Sequence, residues 1–268
     1  MSVEKTMTKI QEKYKGEAQR LLDKHNVLPQ LVDNYGTPLL LVLAGSHSFG
    51  FPSQNSDYDV RGVYLAPTEK FLGIRERAGE RNFEYMSPDR GLDVSVEELG
   101  KFMGLVAKSN GGRVEWLNNP LTLSVSPEYH TLRGLVNDCG ISKRLLNQYL
   151  QFARKTWEGQ NGLEGVKRDL HALRAYMVGI TLVREGQLVS DITDLNKRFN
   201  IPLIPQMIEL KEQDEQSAAQ SYDRQYLARM IYSLDALLAR YAVNSSLPEK
   251  PNQSALNDFL VNLRKARL

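Results

Sequence analysis

One stretch of this sequence limits the possible folds more than any other, because it places two strands on either side of a turn of small residues. The stretch covers residues 39–64 and reads LLLVLAGSHSFGFPSQNSDYDVRGVY. Residues 39–43 are all apolar, which predicts a buried strand, and the three small residues that follow predict a turn. A second extended segment begins around a D-x-D pair, Asp57 and Asp59. The stretch therefore predicts a strand, a turn and a strand, with two carboxylates near the start of the second strand.

The spacing of Asp57 and Asp59 predicts a metal site. Residues two apart on a strand project to the same face, so both carboxylates point one way. Side by side they repel each other, and each is costly to remove from water without a partner. A divalent cation removes that cost, and magnesium takes one or two carboxylates together with waters and phosphate oxygens. Surface strands and turns often carry D-x-D, so the pair alone is a weak signal.

Gly45 and Ser46, at the end of the first predicted strand, indicate a phosphate-binding turn. Gly45 lets the backbone approach a phosphate closely, Ser46 adds a hydroxyl, and the N–H groups of the turn point at the same anion. A phosphate-binding turn followed after ten residues by the D-x-D pair is a far more specific signal for metal ligands than the pair alone.

Asp93 is the candidate for a third carboxylate. It lies in the segment GLDVSVEEL, where Leu92 and Val94 alternate with Asp93 and Ser95. This alternation lets Asp93 face a site while its neighbours face the core. The alternative interpretation is an exposed residue at the end of a strand.

Composition excludes several classes of protein. The chain has 268 residues, enough for one large domain or two modest ones. Lys and Arg total 34 against 32 Asp and Glu, which excludes a generally basic nucleic-acid coat and leaves room for a local basic groove. The single cysteine, Cys139, excludes an internal disulfide and a cysteine-based zinc cluster. The charged N-terminal segment and the lack of a long apolar run predict a cytoplasmic protein without a membrane span.

Hydrophobic periodicity predicts a mixed first half and a helical second half. A helix is expected from about residue 4 to 25, ahead of the motif strand. Strand signals fade after a boundary near 138–142, and four helices are expected at about 142–158, 163–185, 215–243 and 253–266. This pattern favours an α+β architecture over a doubly wound parallel sheet.

Three shorter segments carry local predictions. Residues 68–90 are polar and predict a connecting hairpin, and residues 201–220, with two prolines and a charge run, predict a surface loop whose charges are solvated. Ser95 is predicted to cap the next helix, with Glu98 completing a capping box. The helical spacing of four apolar residues predicts a core-facing stripe: Leu99, Phe102, Met103 and Val106.

Cationic residues in two places admit two interpretations each. Within the stretch 166–186, helical spacing predicts a cationic stripe of Lys167, His171 and Arg174. It flanks an apolar stripe of Leu170, Leu173, Met177 and Ile180. These cations either face the phosphates of a nucleotide or acceptor across a cleft, or they are merely solvated on a partly exposed helix. Arg61 lies two residues beyond Asp59 and either meets a phosphate bidentately or pairs with the carboxylates.

Several of these motifs together resemble the DNA polymerase β nucleotidyltransferase superfamily, in its RNA-ligase-associated branch. The matching pieces span residues 37–243: GSHSFGFPSQNSDYDVRGVYLAP, GLDVSVEEL, NGGRVEWLNNP, K-x3-H-x-L-R and DRQYLARMIYSLDALL. One departure is that an Asn-Pro pair typical of the family appears here as Asn110-Gly111-Gly112, so no function is carried onto that loop.

The resemblance implies a fold and a reaction. The expected fold is a polymerase-β-type core of mixed sheet and helices over residues 1–140, followed by a helical domain over 141–268 that completes the active-site cleft. The expected reaction transfers a nucleoside monophosphate from a nucleoside triphosphate to a hydroxyl and releases pyrophosphate. The expected cofactor is Mg²⁺, with two ions, and Mn²⁺ is an alternative.

The resemblance also implies roles for single residues. Asp57 and Asp59 would hold one metal ion and, together with Asp93, a second that activates the attacking hydroxyl, whose proton Asp93 would accept. The other candidate phosphate-binding residues are Gly45, Ser46, Arg61, Lys167, His171 and Arg174. Beside a phosphate His171 would act as a donor, and its protonation would then give activity an acidic limb.

The acceptor stays open at this point. The branch suggests an RNA 3′ end in RNA repair, while a small-molecule or protein hydroxyl is the alternative, and apolar helical stripes leave a homo-oligomer possible. A nucleotide-binding sensor without turnover would keep Gly45-Ser46 and could dispense with one carboxylate. A structural or interaction module would have no need of the carboxylate pair. Metal-dependent turnover separates the enzyme from both.

Overall fold

The computed structural model of the chain has an α+β fold and describes residues 8–72, 82–213 and 222–268. Within these residues the chain forms two compact units. The first, here called the sheet unit, comprises Met1–His47, Ser56–Gly140 and Pro251–Leu268 in their described parts. The second, the helical unit, comprises Ser48–Asn55 and Ile141–Lys250 in their described parts. The expected α+β class is confirmed.

A mixed five-stranded sheet forms the centre of the sheet unit. Its strands lie in the order β3-β4-β2-β1-β5; β2 and β4 run parallel, and the other neighbouring pairs are antiparallel. The strands are β1 Thr37–Leu43, β2 Tyr58–Leu65, β3 Phe83–Met86, β4 Leu92–Glu98 and β5 Thr122–Val125. Residues 39–43 of β1 are buried, as expected for a central strand that reads as an unbroken apolar run.

Twelve α-helices occur in the described part of the chain. In order they are α1 Lys9–Lys24, α2 Val27–Asn34, α3 Gly45–Phe49, α4 Leu99–Ala107, α5 Gly111–Asn118, α6 Glu128–Cys139, α7 Lys143–Trp157, α8 Gly165–Glu185, α9 Ile192–Phe199, α10 Leu203–Gln213, α11 Arg224–Asn244 and α12 Gln253–Lys265. A short 3₁₀ helix, Thr68–Phe71, follows β2. None of the described helices is both long enough and apolar enough to span a bilayer.

Helices α1 and α2 cover one face of the sheet and complete its core. Leu22 of α1 and Val27 and Leu31 of α2 belong to one buried cluster with residues of β1, β2 and β4. Because these side chains leave water together, they fix the helices against the strands that carry the acidic residues. The two helices and the strands that carry Asp59 and Asp93 therefore share one core.

Helix α4 begins later than the sequence predicts. Ser95 was expected as its cap, but β4 continues to Glu98, and the Glu98 side chain accepts a hydrogen bond from the N–H of Gly100 at 2.6 Å. Ser95 stays in the strand because its alternation with Val94 and Val96 keeps the pleat, and the latter two are buried. The predicted core stripe is confirmed, since all four of its residues are buried: Leu99, Phe102, Met103 and Val106.

Helix α8 is the central helix of the helical unit. It contacts α7, α9, α10 and α11. Its predicted apolar stripe is confirmed: Leu170, Leu173, Met177 and Ile180 are fully buried. At Gly179 a Cβ atom would lie 2.8 Å from Leu238 Cδ1 of α11, so the two helices approach more closely than an alanine would allow.

Several element predictions need correction. Residues 203–213 form α10 and are not a loop, while residues 214–220 of that prediction lie outside the described residues. Helices α2, α6 and α9 were not predicted. The expected hairpin over 68–90 includes residues 73–81, which are outside the described part, and its strand β3 pairs with β4. Helices α7, α8 and α12 begin and end within two residues of the predicted limits.

Candidate active site

The parallel pairing of β2 with β4 brings two acidic residues side by side. Asp59 of β2 lies directly opposite Asp93 of β4, and Asp57 immediately precedes β2. One carboxylate oxygen from each of the three residues lies within 4.8 Å of the others. The side chains of Asp59 and Asp93 are 21% and 28% exposed, so both can be reached from solvent. The alternation around Asp93 thus places it beside Asp59.

Arg61 pairs with these carboxylates in the structure. Its Nη2 donates to Asp59 Oδ1 at 2.5 Å and to Asp93 Oδ2 at 2.7 Å. Its Nη1 donates to the backbone oxygens of Val60 and Asp93. The guanidinium offsets the repulsion between two neighbouring carboxylates, which is the pairing interpretation of this residue. A role toward phosphate stays a prediction.

Gly45 is required by its contact with Asp59. Its φ is +61°, and a Cβ atom on it would lie 1.9 Å from Asp59 Oδ2. The N–H of the preceding Ala44 donates to the backbone oxygen of Asp59 at 2.7 Å. Any larger residue at position 45 would displace the carboxylate. Sequence reasoning assigned Gly45 to a phosphate and missed this neighbour, because the contact joins the start of α3 to β2.

His47 packs behind the motif. The imidazole is buried and stacks on Tyr58 with a centroid distance of 4.4 Å, while the edge of Tyr14 contacts it at 4.8 Å. Tyr58 alternates with Asp59 and therefore points to the opposite face of β2. These contacts make His47 a packing residue that supports the strand on which Asp59 lies.

The three carboxylates fit a hard divalent cation. Asp57, Asp59 and Asp93 offer only oxygen ligands, and their close approach leaves charge that a cation would neutralise. The Arg61 guanidinium already binds two of them, which shows that this position favours positive charge. The donor set and its spacing match Mg²⁺ or Mn²⁺ better than a softer metal.

The cationic residues of α8 lie in the helical unit among aromatic rings. The imidazole of His171 is perpendicular to the rings of Phe49 and Phe51, with centroid distances of 5.6 and 5.1 Å. The Cζ of Arg174 lies 3.8 Å from the centre of the Phe49 ring, and only 5% of Arg174 is exposed. Lys167 is partly exposed. Arg174 is therefore not a solvated surface cation.

The pKa of His171 is lowered from 6.5 to about 3, because burial disfavours the charged imidazole and Arg174, Lys167 and Lys211 add positive charge nearby. At neutral pH the free imidazole is uncharged and donates through one ring N–H. An acidic limb caused by this residue in the free protein would fall near pH 3 and not near 6.5.

Lys211 is the residue that sequence reasoning missed. It lies on α10 within the charge run that was expected to be solvated, yet it is 1% exposed. A signal for it exists in the sequence. Counting four residues on from Met207 reaches Lys211, so it continues the buried stripe of Leu203 and Met207.

The proposed site residues thus fall into two groups. Asp57, Asp59, Asp93, Arg61, Gly45 and Ser46 belong to the sheet unit, and Lys167, His171 and Arg174 belong to the helical unit. The structure brings the carboxylates, Arg61 and Gly45 together.

Comparison with known proteins decides the family. The model of the RNA repair pathway DNA polymerase beta family matches residues 10–262, nearly the whole chain. The chain belongs to this family. The resemblance to the polymerase β superfamily is therefore confirmed, and membership of the RNA repair pathway DNA polymerase beta family supports a nucleotidyltransferase of the polymerase β type.

Two curated proteins and one solved structure are similar to this family member. The uncharacterized protein MJ0002 of Methanocaldococcus jannaschii is 25% identical over 230 residues, covering 81% of this chain and 90% of that protein. The uncharacterized protein YcgL of Bacillus subtilis is 36% identical over 176 residues, covering 63% of this chain and 65% of that protein. A nucleotidyltransferase-like protein from Exiguobacterium sibiricum 255-15 matches with a TM-score of 0.28 and 10% identity, covering 94% of this chain and 80% of that chain.

Proposed function

We propose that the protein is a metal-dependent nucleotidyltransferase that moves a nucleoside monophosphate from a nucleoside triphosphate to a hydroxyl acceptor and releases pyrophosphate. The observation that carries the proposal is the approach of three carboxylates to within 4.8 Å, in a chain of the polymerase β family. The proposed catalytic domain covers residues 1–140 and the proposed helical domain covers 141–268.

Asp57, Asp59 and Asp93 are the proposed metal ligands. A bound divalent cation would supply charge neutralisation at the triphosphate and a lower pKa for the attacking hydroxyl. Asp93 Oδ2, which accepts a hydrogen bond from Arg61 in this structure, is the proposed acceptor for the proton of that hydroxyl. Its partial exposure is compatible with access by an acceptor.

Positioning of the triphosphate is proposed for a second set of residues. Gly45 and Ser46 are the proposed contacts of the β- and γ-phosphates at the start of α3. Arg61 would help to balance charge between the carboxylates and the substrate. The cations of α8 are proposed to stabilise the pyrophosphate as it leaves: Lys167, His171 and Arg174.

An RNA 3′ end is the proposed acceptor, supported by the RNA repair description of the family. The experiment compares label transfer from α-labelled nucleoside triphosphates to RNA that ends in a 3′-hydroxyl and to the same RNA with a 3′-phosphate. Label on the first RNA and none on the second is the expected result, since only the first offers a 3′-hydroxyl as the attacking group. Label on the protein or on a small molecule instead would overturn RNA as the acceptor and retain the reaction.

A further inference from the structure

A cluster of cations and aromatic rings in the helical unit extends beyond α8. Cations and rings alternate in it. Arg174 lies against Phe49, and the imidazole of His171 contacts the rings of both Phe49 and Phe51. Lys211 Nζ lies 5.7 Å from the centre of the Phe51 ring. Two helices, α8 and α10, and the segment 48–55 supply these residues. The cluster is thus a composite of distant parts of the chain, held within one unit.

The segment that carries the two phenylalanines is held close to α9. Gly50 lies between Phe49 and Phe51, has a φ of +82°, and would place a Cβ atom 2.3 Å from Asp191 Oδ1. Asp191 caps α9 by accepting hydrogen bonds from the N–H groups of Thr193 and Asp194. This close approach fixes the backbone between the two rings, so the cluster is preorganised rather than formed by flexible surface side chains.

The charges of this cluster differ in exposure. Lys167 and His171 are partly exposed, whereas Arg174 and Lys211 are 5% and 1% exposed. Burial of charged groups is costly, and the adjacent ring faces offset part of that cost. A buried charge is screened less by salt than a surface charge, so both residues raise the positive potential where Lys167 and His171 meet solvent. The pKa of His171 is lowered mainly by burial, and the positive charge of Arg174, Lys167 and Lys211 lowers it further.

We propose that Lys211 belongs to a polyphosphate-binding site of the helical unit. In this site Lys167 and His171 contact the ligand, and Arg174 and Lys211 stabilise it from beneath through their charge. This inference rests on the proposed function, because it extends the phosphate-binding role of α8 to α10. A ligand with several adjacent negative charges fits this site best. Lys167, Arg174 and Lys211 all lie around His171, and the neutral imidazole adds a hydrogen-bond donor.

Binding of inorganic tripolyphosphate to the full chain, measured by calorimetry with EDTA present, tests the site without turnover. Lys211→Met is expected to weaken binding about tenfold or more, and Lys211→Arg is expected to stay within about threefold of the native chain. Lys155→Met, which removes an exposed lysine of α7, is the matched control and should bind normally. Native affinity in Lys211→Met, or lack of saturable binding by the native chain, would overturn the proposal.

A second readout separates an electrostatic role from a structural one. The pKa of the His171 imidazole, followed by NMR, should rise in Lys211→Met and should also rise when tripolyphosphate binds to the native chain. An unchanged pKa in a folded Lys211→Met variant would show that Lys211 acts only in packing. If that variant does not fold, Lys167→Met and Lys211→Arg give the same comparison: the first should weaken binding and the second should preserve it.

The outcomes also separate this site from the proposed reaction. Saturable tripolyphosphate binding in a chain that releases no pyrophosphate from any nucleoside triphosphate would retain the site and remove the proposed function. If the native chain releases pyrophosphate but Lys211→Met binds tripolyphosphate normally, the proposed function is retained and Lys211 is removed from the site.

Discussion

At the level of single residues, the position of Asp59 depends on the absence of a side chain at Gly45 and on the positive charge of Arg61. Gly45 supplies room for the Asp59 carboxylate, and Arg61 supplies the positive charge that holds it beside Asp93. Two different effects, steric room and electrostatic attraction, therefore position this one candidate metal ligand.

Gly45→Ala should disable the site while leaving the fold largely intact. The new Cβ atom would displace the Asp59 carboxylate, and we expect turnover to fall about 100-fold, because small displacements of reacting groups are costly. The left-handed backbone should cost about 1–2 kcal/mol of unfolding free energy. Steady-state assays and urea denaturation measure the two effects. Gly104→Ala is the control: its Cβ meets no atom within 4 Å, and the helix should gain stability.

Arg61→Gln distinguishes pairing with the carboxylates from a role toward phosphate alone. Because the guanidinium competes with a metal ion for Asp59 and Asp93, its removal should tighten Mn²⁺ binding without nucleotide about fivefold, which corresponds to an ion pair of about 1 kcal/mol. Electron paramagnetic resonance measures the free ion directly. Weaker Mn²⁺ binding in the variant would contradict the competition and would mean that Arg61 positions the ligands.

His171 should make stability depend on pH in the acidic range. Its pKa of about 3 in the folded chain lies below the value near 6.5 of an unfolded chain. Between these values only the unfolded state binds the proton, so stability is full above pH 6.5 and is lost as the pH falls, by up to about 1.4 kcal/mol per pH unit.

Urea denaturation between pH 7 and pH 4 measures this effect. His171→Gln should show a shallower loss of stability than the native chain, and His130→Gln, which replaces an exposed histidine of the sheet unit, should follow the native chain. Identical slopes for the native chain and His171→Gln would show that the imidazole takes up its proton in the folded state.

Residue-level prediction from sequence succeeded where alternation decided the outcome. The placement of Asp93 beside Asp59 follows from a period of two and a parallel neighbour. The pairing of Arg61 with Asp59 and Asp93 could not be predicted from sequence, because contact with a phosphate would use the same strand face. The burial of Lys211 was missed because its charge was taken to indicate exposure to solvent. Its position four residues after the buried Met207 indicates burial.

At the level of elements, the segment that forms α10 was predicted as a loop partly because of its prolines. Pro205 lies at the third position of this helix. The first N–H groups of a helix have no partner within it, so a proline there removes no hydrogen bond. Treating Pro205 as a loop signal was therefore wrong, because a proline in the first turn of a helix is tolerated, whereas one in the interior is not.

The start of α4 also ties two elements together through one carboxylate. Glu98 is fully buried, caps α4 through Gly100, and accepts a hydrogen bond at 2.9 Å from Arg264 of α12. Arg264 in turn lies 3.7 Å from the centre of the Phe71 ring. The last helix of the chain is thereby fixed to the strand that carries Asp93.

Glu98→Ala should lower the unfolding free energy by about 3 kcal/mol or more, since it removes a cap and leaves a largely buried guanidinium without its carboxylate. Glu249→Ala is the control. It breaks the ion pair with Lys143, but the Glu249 side chain is 76% exposed, so the unfolding free energy should fall by less than about 1 kcal/mol. Urea denaturation gives both values. Equal small losses would contradict the structural role of Glu98.

At the level of the whole molecule, sequence reasoning predicted the α+β class and the family, because motifs separated by many residues must occur together for the resemblance to hold. It could not predict how the chain is shared between units. The motif stretch 39–64 contributes residues 48–55 to the helical unit and its two strands to the sheet unit. Such a division depends on long-range contacts, which periodicity does not report.

The deciding measurement is pyrophosphate release from each of the four ribonucleoside triphosphates, with magnesium or with EDTA, with and without 3′-hydroxyl RNA. The native chain is compared with the Asp57→Asn/Asp59→Asn double variant and with Asp138→Asn, which replaces an exposed aspartate of the sheet unit. We predict that pyrophosphate release depends on magnesium and is retained in Asp138→Asn. In the double variant it should fall at least about 100-fold. Circular dichroism should show that the double variant is folded. Undiminished release by a folded double variant would contradict the metal site, and tight nucleotide binding without release under any condition would indicate a sensor.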